Sequence, residues 1–105
     1  MNYNIALTGV VIDPGHGGED SGALGNGIVE KDLTLSISKY MYDRFKELGI
    51  PVALTRDSDS TLTSDNRPGV ALSKFGNSEN VIIISNHINA GGAEFSYHYN
   101  EMIGY

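Results

Sequence analysis

Cysteine is missing from this sequence of 105 residues, and basic residues are few. Without thiols the chain can form neither disulfides nor thiolate-rich zinc knuckles, so any metal site has to use nitrogen and oxygen ligands. Seven lysines and arginines stand against 13 acidic residues, and they form no cluster. Because a nucleic-acid-binding protein carries a basic patch or stripe, we expect no nucleic acid partner.

Long apolar runs are also missing. No stretch approaches the ~20 apolar residues that a membrane-spanning helix needs. The first nine residues lack the basic start and apolar core of a secretory signal, so we expect no signal peptide in this chain. A length of 105 residues favours one domain over residues 1–105, and the alternation of apolar segments described below favours a small α/β domain.

One short stretch combines a strand pattern with an unusual loop. Val10–Ile12 is β-branched throughout and is stopped by Pro14, which predicts a buried strand. A histidine, His16, follows at the strand's carboxyl end and is bracketed by glycines that allow positive φ angles and close approach of a ligand. In open α/β sheets, ligands bind at this edge.

Three interpretations of the His16 loop remain open from the residues alone. It could be a tight turn with a surface histidine. It could cradle a phosphate, although the lysine and hydroxyl residue of a Walker motif and the spaced glycines of a dinucleotide fold are missing. It could ligate a metal through the imidazole, which requires further ligands from elsewhere in the chain.

An amphipathic helix is predicted from Asp32 onwards, since apolar residues recur at intervals of three or four on one stripe. Asp32 is the expected N-cap, Gly49 is the expected left-handed terminator, and Glu30 lies just before the helix. The stripe consists of Leu33, Ile37, Met41, Phe45 and Leu48.

The middle of the chain predicts a βαβ unit. Val52–Leu54 is a second short strand, parallel to the first because a helix connects them. The acidic loop at residues 56–60 lacks the glycine and distal glutamate of a calcium loop and is interpreted as a solvated turn. Residues 62–75 predict a weaker helix that is capped by Ser64 or Asp65 and ended by Gly76.

The most hydrophobic run, Val81–Ile84, predicts a central parallel strand that is covered on both faces. Ser85, Asn86 and His87 follow it. A second strand therefore delivers a histidine to its carboxyl end, and two histidines at equivalent ends of neighbouring strands favour a shared site over two separate structural roles.

Four ordered blocks carry a family resemblance: residues 13–18 (DPGHGG), residues 30–35 (EKDLTL), residues 54–56 (LTR) with Asp59, and residues 85–90 (SNHINA). Together they resemble the zinc-dependent N-acetylmuramoyl-L-alanine amidases of the amidase 3 type, found in bacterial cell-wall hydrolases, autolysins and phage endolysins. The resemblance extends from about Val10 to Gly92. It implies an α/β fold with a mainly parallel central sheet flanked by helices, here incomplete.

The resemblance implies that His16, Glu30 and His87 are zinc ligands. Two imidazoles and one carboxylate are a recognised ligand set for catalytic zinc. The implied reaction is hydrolysis of the amide bond between N-acetylmuramic acid and L-alanine in peptidoglycan. The chain would then act on the cell wall, which it would reach by holin-mediated export, by cell lysis or by another route.

The sequence departs from the family near its end. The family places a glutamate general base close to the end of the domain, and no residue here matches it; Glu94 and Glu101 are weak candidates. Residues 95–105 are interpreted as a tail that does not resemble the family. The expected consequences are self-association through an uncovered sheet edge and, as the alternative function, a truncated, inactive remnant that retains zinc or wall binding.

Four further residues receive roles outside catalysis. Arg56 and Arg67 are interpreted as structural residues that form ion pairs or anchor loops. Asp13 is expected either to accept a hydrogen bond from a ligand imidazole or to stabilise its turn. Asn89 is expected to orient its loop.

Overall fold

A computed structural model describes residues 7–88 of the chain. The elements are β1 (Gly9–Pro14), β2 (Leu24–Gly25), β3 (Ile28–Val29), α1 (Glu30–Glu47), β4 (Val52–Leu54), α2 (Arg67–Phe75) and β5 (Val81–Asn86). Three strands form a parallel sheet in the order β4-β1-β5, and β2 and β3 form a separate antiparallel hairpin. The α/β prediction is confirmed.

Strand β1 is the centre of the described sheet. Every residue in it is buried, as the Val10–Ile12 run predicts. The sequence predicts β5 as a central strand that is covered on both faces. Within residues 7–88 this prediction is wrong, because β5 pairs with β1 alone and Ile82 and Ile83 are each 46% exposed. Hydrophobicity identified the strand correctly, but it did not reveal how much of the strand is covered within residues 7–88.

Helix α1 begins at Glu30, two residues earlier than predicted, and no side chain caps it. The Glu30 and Lys31 amides instead donate to the backbone carbonyls of Ala23 and Ser21, at 2.9 and 3.0 Å. Backbone carbonyls of the preceding loop therefore cap the helix in place of Asp32, which lies inside the first turn. Gly49, with φ of 74°, follows the helix as predicted.

The buried face of α1 is polar near the carboxyl edge of the sheet. Thr34 and Ser38 are fully buried, whereas Leu33 and Ile37 of the predicted stripe are 36% and 41% exposed. The Thr34 hydroxyl donates to the Gly15 carbonyl at 2.7 Å. These hydrogen bonds to the strand ends explain why a polar row, and not the apolar stripe, packs here.

Helix α2 is shorter than predicted. It begins at Arg67 with Asn66 as N-cap and no side-chain cap hydrogen bond, so neither Ser64 nor Asp65 caps it. The Thr63 carbonyl accepts hydrogen bonds from the amides of Asn66 and Arg67, so a turn precedes the helix. Gly76 ends it with φ of 84°, as predicted.

The segment between β1 and α1 is more regular than its glycines suggest. Within it, Leu24–Gly25 pairs with Ile28–Val29 as the β2-β3 hairpin. Gly27 supplies the positive φ of its turn, at 76°. Among residues 7–88, no helix is both long and apolar enough to span a membrane.

Candidate metal centre

Three side chains meet at the carboxyl edge of the sheet, each delivered by a different element. His16 follows β1, Glu30 opens α1 and His87 follows β5. Glu30 Oε2 lies 3.1 Å from His16 Nε2 and 3.7 Å from His87 Nδ1. The ligand atoms of all three lie within 4.8 Å of one another. The structure thus brings together the three residues that the resemblance singled out.

This donor set fits a metal ion. Ligand atoms held tetrahedrally at about 2.1 Å from zinc are roughly 3.4 Å apart, which is close to the spacing found here. The two imidazole rings stand edge to face, with centroids 5.1 Å apart and an interplanar angle of 85°. Three protein ligands leave the fourth position of a tetrahedral ion open, as in catalytic rather than structural sites.

Two glycines make room for the triad. A Cβ atom on Gly22 would lie 2.7 Å from His16 Cδ2 and 2.8 Å from Glu30 Cβ. A Cβ atom on Gly15 would lie 2.7 Å from both Cε1 and Nδ1 of His87. Any larger residue at either position would therefore displace a candidate ligand.

Glu30 is held from both sides by backbone. The Ala23 amide donates to Oε1 at 2.8 Å, and the Ile88 amide donates to Oε2 at 2.7 Å. The residue is only 2% exposed. Because each carboxylate oxygen has a fixed donor, the orientation of Oε2 towards the two histidines is set by the fold and not by the ligand.

His16 occupies a left-handed backbone conformation, with φ of 64°, which is uncommon for residues other than glycine. Its Nδ1 lies 2.8 Å from Asp20 Oδ2, and its Nε2 faces Glu30. The hydrogen bond from His16, followed by that from the Gly22 amide, lowers the pKa of Asp20. The sequence analysis missed Asp20; a carboxylate four residues beyond a candidate ligand was the available signal.

The His87 side chain is 32% exposed, and its partial burial lowers the pKa of its imidazole; the nearby His16 lowers it further. Neutral imidazole is the form that binds a metal. The Nδ1 atom of His87 lies 3.7 Å from Glu30 Oε2, whereas His16 presents Nε2. The two histidines therefore present different ring nitrogens to the shared carboxylate.

Arg56 anchors the His16 loop. The residue is 4% exposed, and its guanidinium donates to the carbonyls of Gly15 and Lys31, both at 3.0 Å. Loss of hydration on burial lowers the pKa of Arg56. The prediction that this arginine anchors a loop is confirmed.

Arg67 combines an ion pair with loop contacts. Its Nη1 lies 2.6 Å from Asp13 Oδ1 and 2.9 Å from the Pro14 carbonyl, and its Nη2 donates to the His16 carbonyl at 3.0 Å. The structural interpretation of this arginine is therefore also confirmed.

Asp13 links all three strands. It accepts hydrogen bonds from the hydroxyls of Thr55 and Ser85, both at 2.7 Å, in addition to the Arg67 ion pair. Thr55 follows β4 and Ser85 lies in β5, so one carboxylate ties the ends of three strands together. The sequence did not indicate this cross-link.

A cavity of about 990 Å³ opens beside the triad and is lined in part by His16 and His87. The segment from Thr61 to Ser64 forms one wall, and Ile83 contributes from the sheet. The site therefore adjoins a space large enough for part of an extended substrate.

Comparison with known proteins identifies the family. Residues 10–102 match the family model described as N-acetylmuramoyl-L-alanine amidase. The chain belongs to this family. The match extends beyond about Gly92, where the resemblance predicted from the sequence ends.

Two relatives match more than four fifths of the chain. The germination-specific N-acetylmuramoyl-L-alanine amidase of Bacillus subtilis is 36% identical over 100 residues, covering 84% of this chain and 42% of its own length. The endolysin of Bacillus phage SPP1 is 40% identical over 97 residues, covering 86% of this chain and 33% of its own length.

A solved structure supports the same family fold. The catalytic domain of CwlV, an amidase from Bacillus (Paenibacillus) polymyxa var. colistinus, superimposes with a TM-score of 0.68 at 35% identity. The aligned region covers 79% of this chain and 46% of the solved chain. The chain thus spans less than half the length of these relatives.

Several predicted residues lie outside the described range. Glu94 and Glu101, the weak candidates for a general base, lie there, as do Asn89 and the tail at residues 95–105. Their roles stay predictions.

Proposed function

We propose that the chain binds Zn²⁺ through His16, Glu30 and His87 and hydrolyses the amide bond between N-acetylmuramic acid and L-alanine in peptidoglycan. The observation that carries this proposal is the convergence of the three ligand atoms within 4.8 Å in a member of the amidase family. Two imidazoles with one carboxylate are the donor set of known catalytic zinc sites.

A bound zinc ion would supply Lewis acidity, polarising the scissile carbonyl and lowering the pKa of its water towards about 7. The chain's own residues prepare the site for this. Glu30 is oriented by two backbone amides, His16 is oriented by Asp20, and the lowered pKa of His87 keeps its imidazole neutral. The adjoining cavity offers space for the substrate.

The proposed reaction needs a general base as well as a metal. Water adds to the carbonyl of the lactyl group, the C–N bond breaks, and the amine of L-alanine leaves with a proton. Glu94 and Glu101 are the proposed candidates for the group that carries this proton. Action on the cell wall, as an autolysin or an endolysin, follows from the same proposal.

Zinc binding is tested by replacing His87 with alanine and measuring the metal content of the folded protein. We expect one zinc per chain before the change and a loss of stoichiometric zinc after it. His98→Ala is the matched control, since this histidine is expected to be an exposed tail residue. Unchanged zinc content in His87→Ala would remove His87 from the site.

Activity is tested by incubating the chain with peptidoglycan and measuring newly exposed L-alanine amino groups, with zinc and with chelator. Zinc-dependent release would establish the amidase, and Glu94→Gln and Glu101→Gln would then identify the base. The alternative function is a remnant that retains zinc or wall binding without cutting. It would be established by a folded, zinc-loaded chain that releases nothing.

A further inference from the structure

Asp20 is held in one position beside the His16 ring. Its Oδ2 lies 2.8 Å from His16 Nδ1, while its Oδ1 accepts the Gly22 amide at 3.1 Å. Its backbone is paired in both directions with Gly17, at 2.8 and 3.0 Å. The two carboxylate oxygens therefore have different, fixed partners, and the side chain cannot turn without losing one of them.

This arrangement selects a tautomer. A neutral imidazole has one N–H donor and one acceptor nitrogen, and a carboxylate can only accept. Both ring nitrogens of His16 lie near a carboxylate, but only the Nδ1–Asp20 contact, at 2.8 Å, has hydrogen-bond geometry; Nε2 lies 3.1 Å from Glu30 Oε2 as an ion-pair contact alone. In the neutral ring the hydrogen is therefore favoured on Nδ1, which leaves the lone pair on Nε2, on the side of the triad.

We propose that Asp20 is a positioning residue that fixes His16 as the Nδ1–H tautomer and thereby sets the affinity of the site for its metal. The proposal rests on the metal binding described under the proposed function. Outer partners of ligating histidines typically contribute 10- to 100-fold to metal affinity.

The hydrogen bond from Gly22 makes the isosteric variant informative. In Asp20→Asn, the Gly22 amide still requires an oxygen acceptor, so the new NH₂ group takes the place of Oδ2 and faces His16 Nδ1. It would donate to Nδ1 and favour the Nε2–H tautomer, which cannot bind a metal through Nε2. Asp20→Ala merely removes the selection and leaves both tautomers accessible.

Asp20→Asn resembles the unchanged side chain more closely than Asp20→Ala does, yet it is expected to have the lower zinc affinity. We expect Asp20→Ala to bind zinc about 10-fold more weakly and Asp20→Asn about 100-fold more weakly than the unchanged chain. Affinity is measured by competition with a chromophoric chelator at fixed pH and salt. A purely structural role for Asp20 predicts the opposite order, because asparagine keeps the shape of the loop.

Glu19→Gln is the matched control. Glu19 precedes Asp20, is exposed and carries the same charge, so its removal reproduces the electrostatic change alone. We expect its zinc affinity to stay within about twofold of the unchanged chain. An equal loss in Glu19→Gln and Asp20→Asn, or a loss in Asp20→Ala that exceeds that in Asp20→Asn, would overturn the proposal.

A second measurement requires no metal. Long-range ¹H–¹⁵N spectra of the zinc-free chain, recorded at alkaline pH, report which ring nitrogen carries the hydrogen. We expect Nδ1–H in the unchanged chain and Nε2–H in Asp20→Asn, with an unchanged amide fingerprint as the check on folding. Finding Nε2–H in the unchanged chain overturns the inference. Failure of that chain to bind zinc, despite the Nδ1–H tautomer, would instead refute the proposed function.

Discussion

The carboxyl edge of the sheet and its β5 side are built in opposite ways. At the carboxyl edge, charged groups such as Asp13, Glu30 and Arg56 are buried at 5%, 2% and 4% exposure, and we call this region the polar rim. On the β5 side, aliphatic residues of the strand and of α1 are between 36% and 46% exposed; this apolar flank consists of Leu33, Ile37 and Ile82.

The difference shows which part of the described structure is self-sufficient. Among residues 7–88, no buried side-chain nitrogen or oxygen lacks a hydrogen-bond partner. A fully paired polar network is rigid, whereas an unpaired one is costly. We therefore expect the geometry of the metal site to depend on contacts within the polar rim and not on what covers the apolar flank.

The most severe way to break the polar rim is Arg67→Met. It would leave the Asp13 carboxylate, which is 5% exposed, without its cationic partner. We expect the free energy of unfolding to fall by about 3–5 kcal/mol, the usual consequence of stranding one member of a buried ion pair. Urea unfolding measures the change.

Arg44→Met is the control for this prediction. Arg44 also forms an ion pair, at 3.0 Å with Glu47, but both side chains are at least 60% exposed. We expect a change within about 0.5 kcal/mol, because exposed pairs contribute little. Equal losses in the two variants would show that burial of the polar rim does not decide its importance.

A smaller disturbance is Gly22→Ala, compared with Gly27→Ala. Both glycines have positive φ, at 69° and 76°, but only at Gly22 would a Cβ atom meet other atoms, those of His16 and Glu30. Both variants should lose roughly 1 kcal/mol to backbone strain. Only Gly22→Ala should weaken zinc binding, by about tenfold or more; equal zinc affinities in a chelator competition would contradict the crowding argument.

The pH dependence of stability tests a contact at the solvent edge of the polar rim. A hydrogen bond from Lys31, and then one from the Gly18 amide, lowers the pKa of Asp59 below its ordinary value of 3.8. Its stabilising effect is therefore present above pH 3.8 and is lost as the pH falls through the lowered value. The difference in unfolding free energy between the unchanged chain and Asp59→Asn should vanish in acid.

Asp57→Asn provides the comparison. This exposed aspartate lies in the same loop, and we expect its replacement to leave the pH profile unchanged. A difference between the unchanged chain and Asp59→Asn that persists at the lowest pH would mean that shape, and not charge, holds Gly18 in place.

The sequence was sufficient for β1, α1, β4, α2 and β5 and for the candidate ligands, but not for the β2-β3 hairpin or for the contacts that hold the ligands. Strand β1 and the end of α1 at Gly49 follow from local chemistry, so they could be predicted. The burial of Thr34 instead of Leu33 could not be, because it depends on a carbonyl, that of Gly15, nineteen residues away. Asp20 was missed for a related reason: its role depends on the positive φ of His16.

The smallest expected effect belongs to the apolar flank. Ile82→Thr keeps the β-branched shape that suits a strand, and it changes a residue that is already 46% exposed. We expect the free energy of unfolding to fall by less than about 1 kcal/mol, since little buried apolar area is lost. Val11→Thr is the matched change in β1, where the residue is 0% exposed, and there a buried hydroxyl should cost about 1–3 kcal/mol.

Ile82→Thr also tests the prediction of self-association. Exposed aliphatic residues on an uncovered strand favour contact between copies, so sedimentation velocity should show less association in Ile82→Thr than in the unchanged chain. Zinc affinity should be the same in both, because the polar rim does not depend on this strand face. A loss of zinc affinity in Ile82→Thr would show that the two regions are coupled and that the polar rim is not self-sufficient.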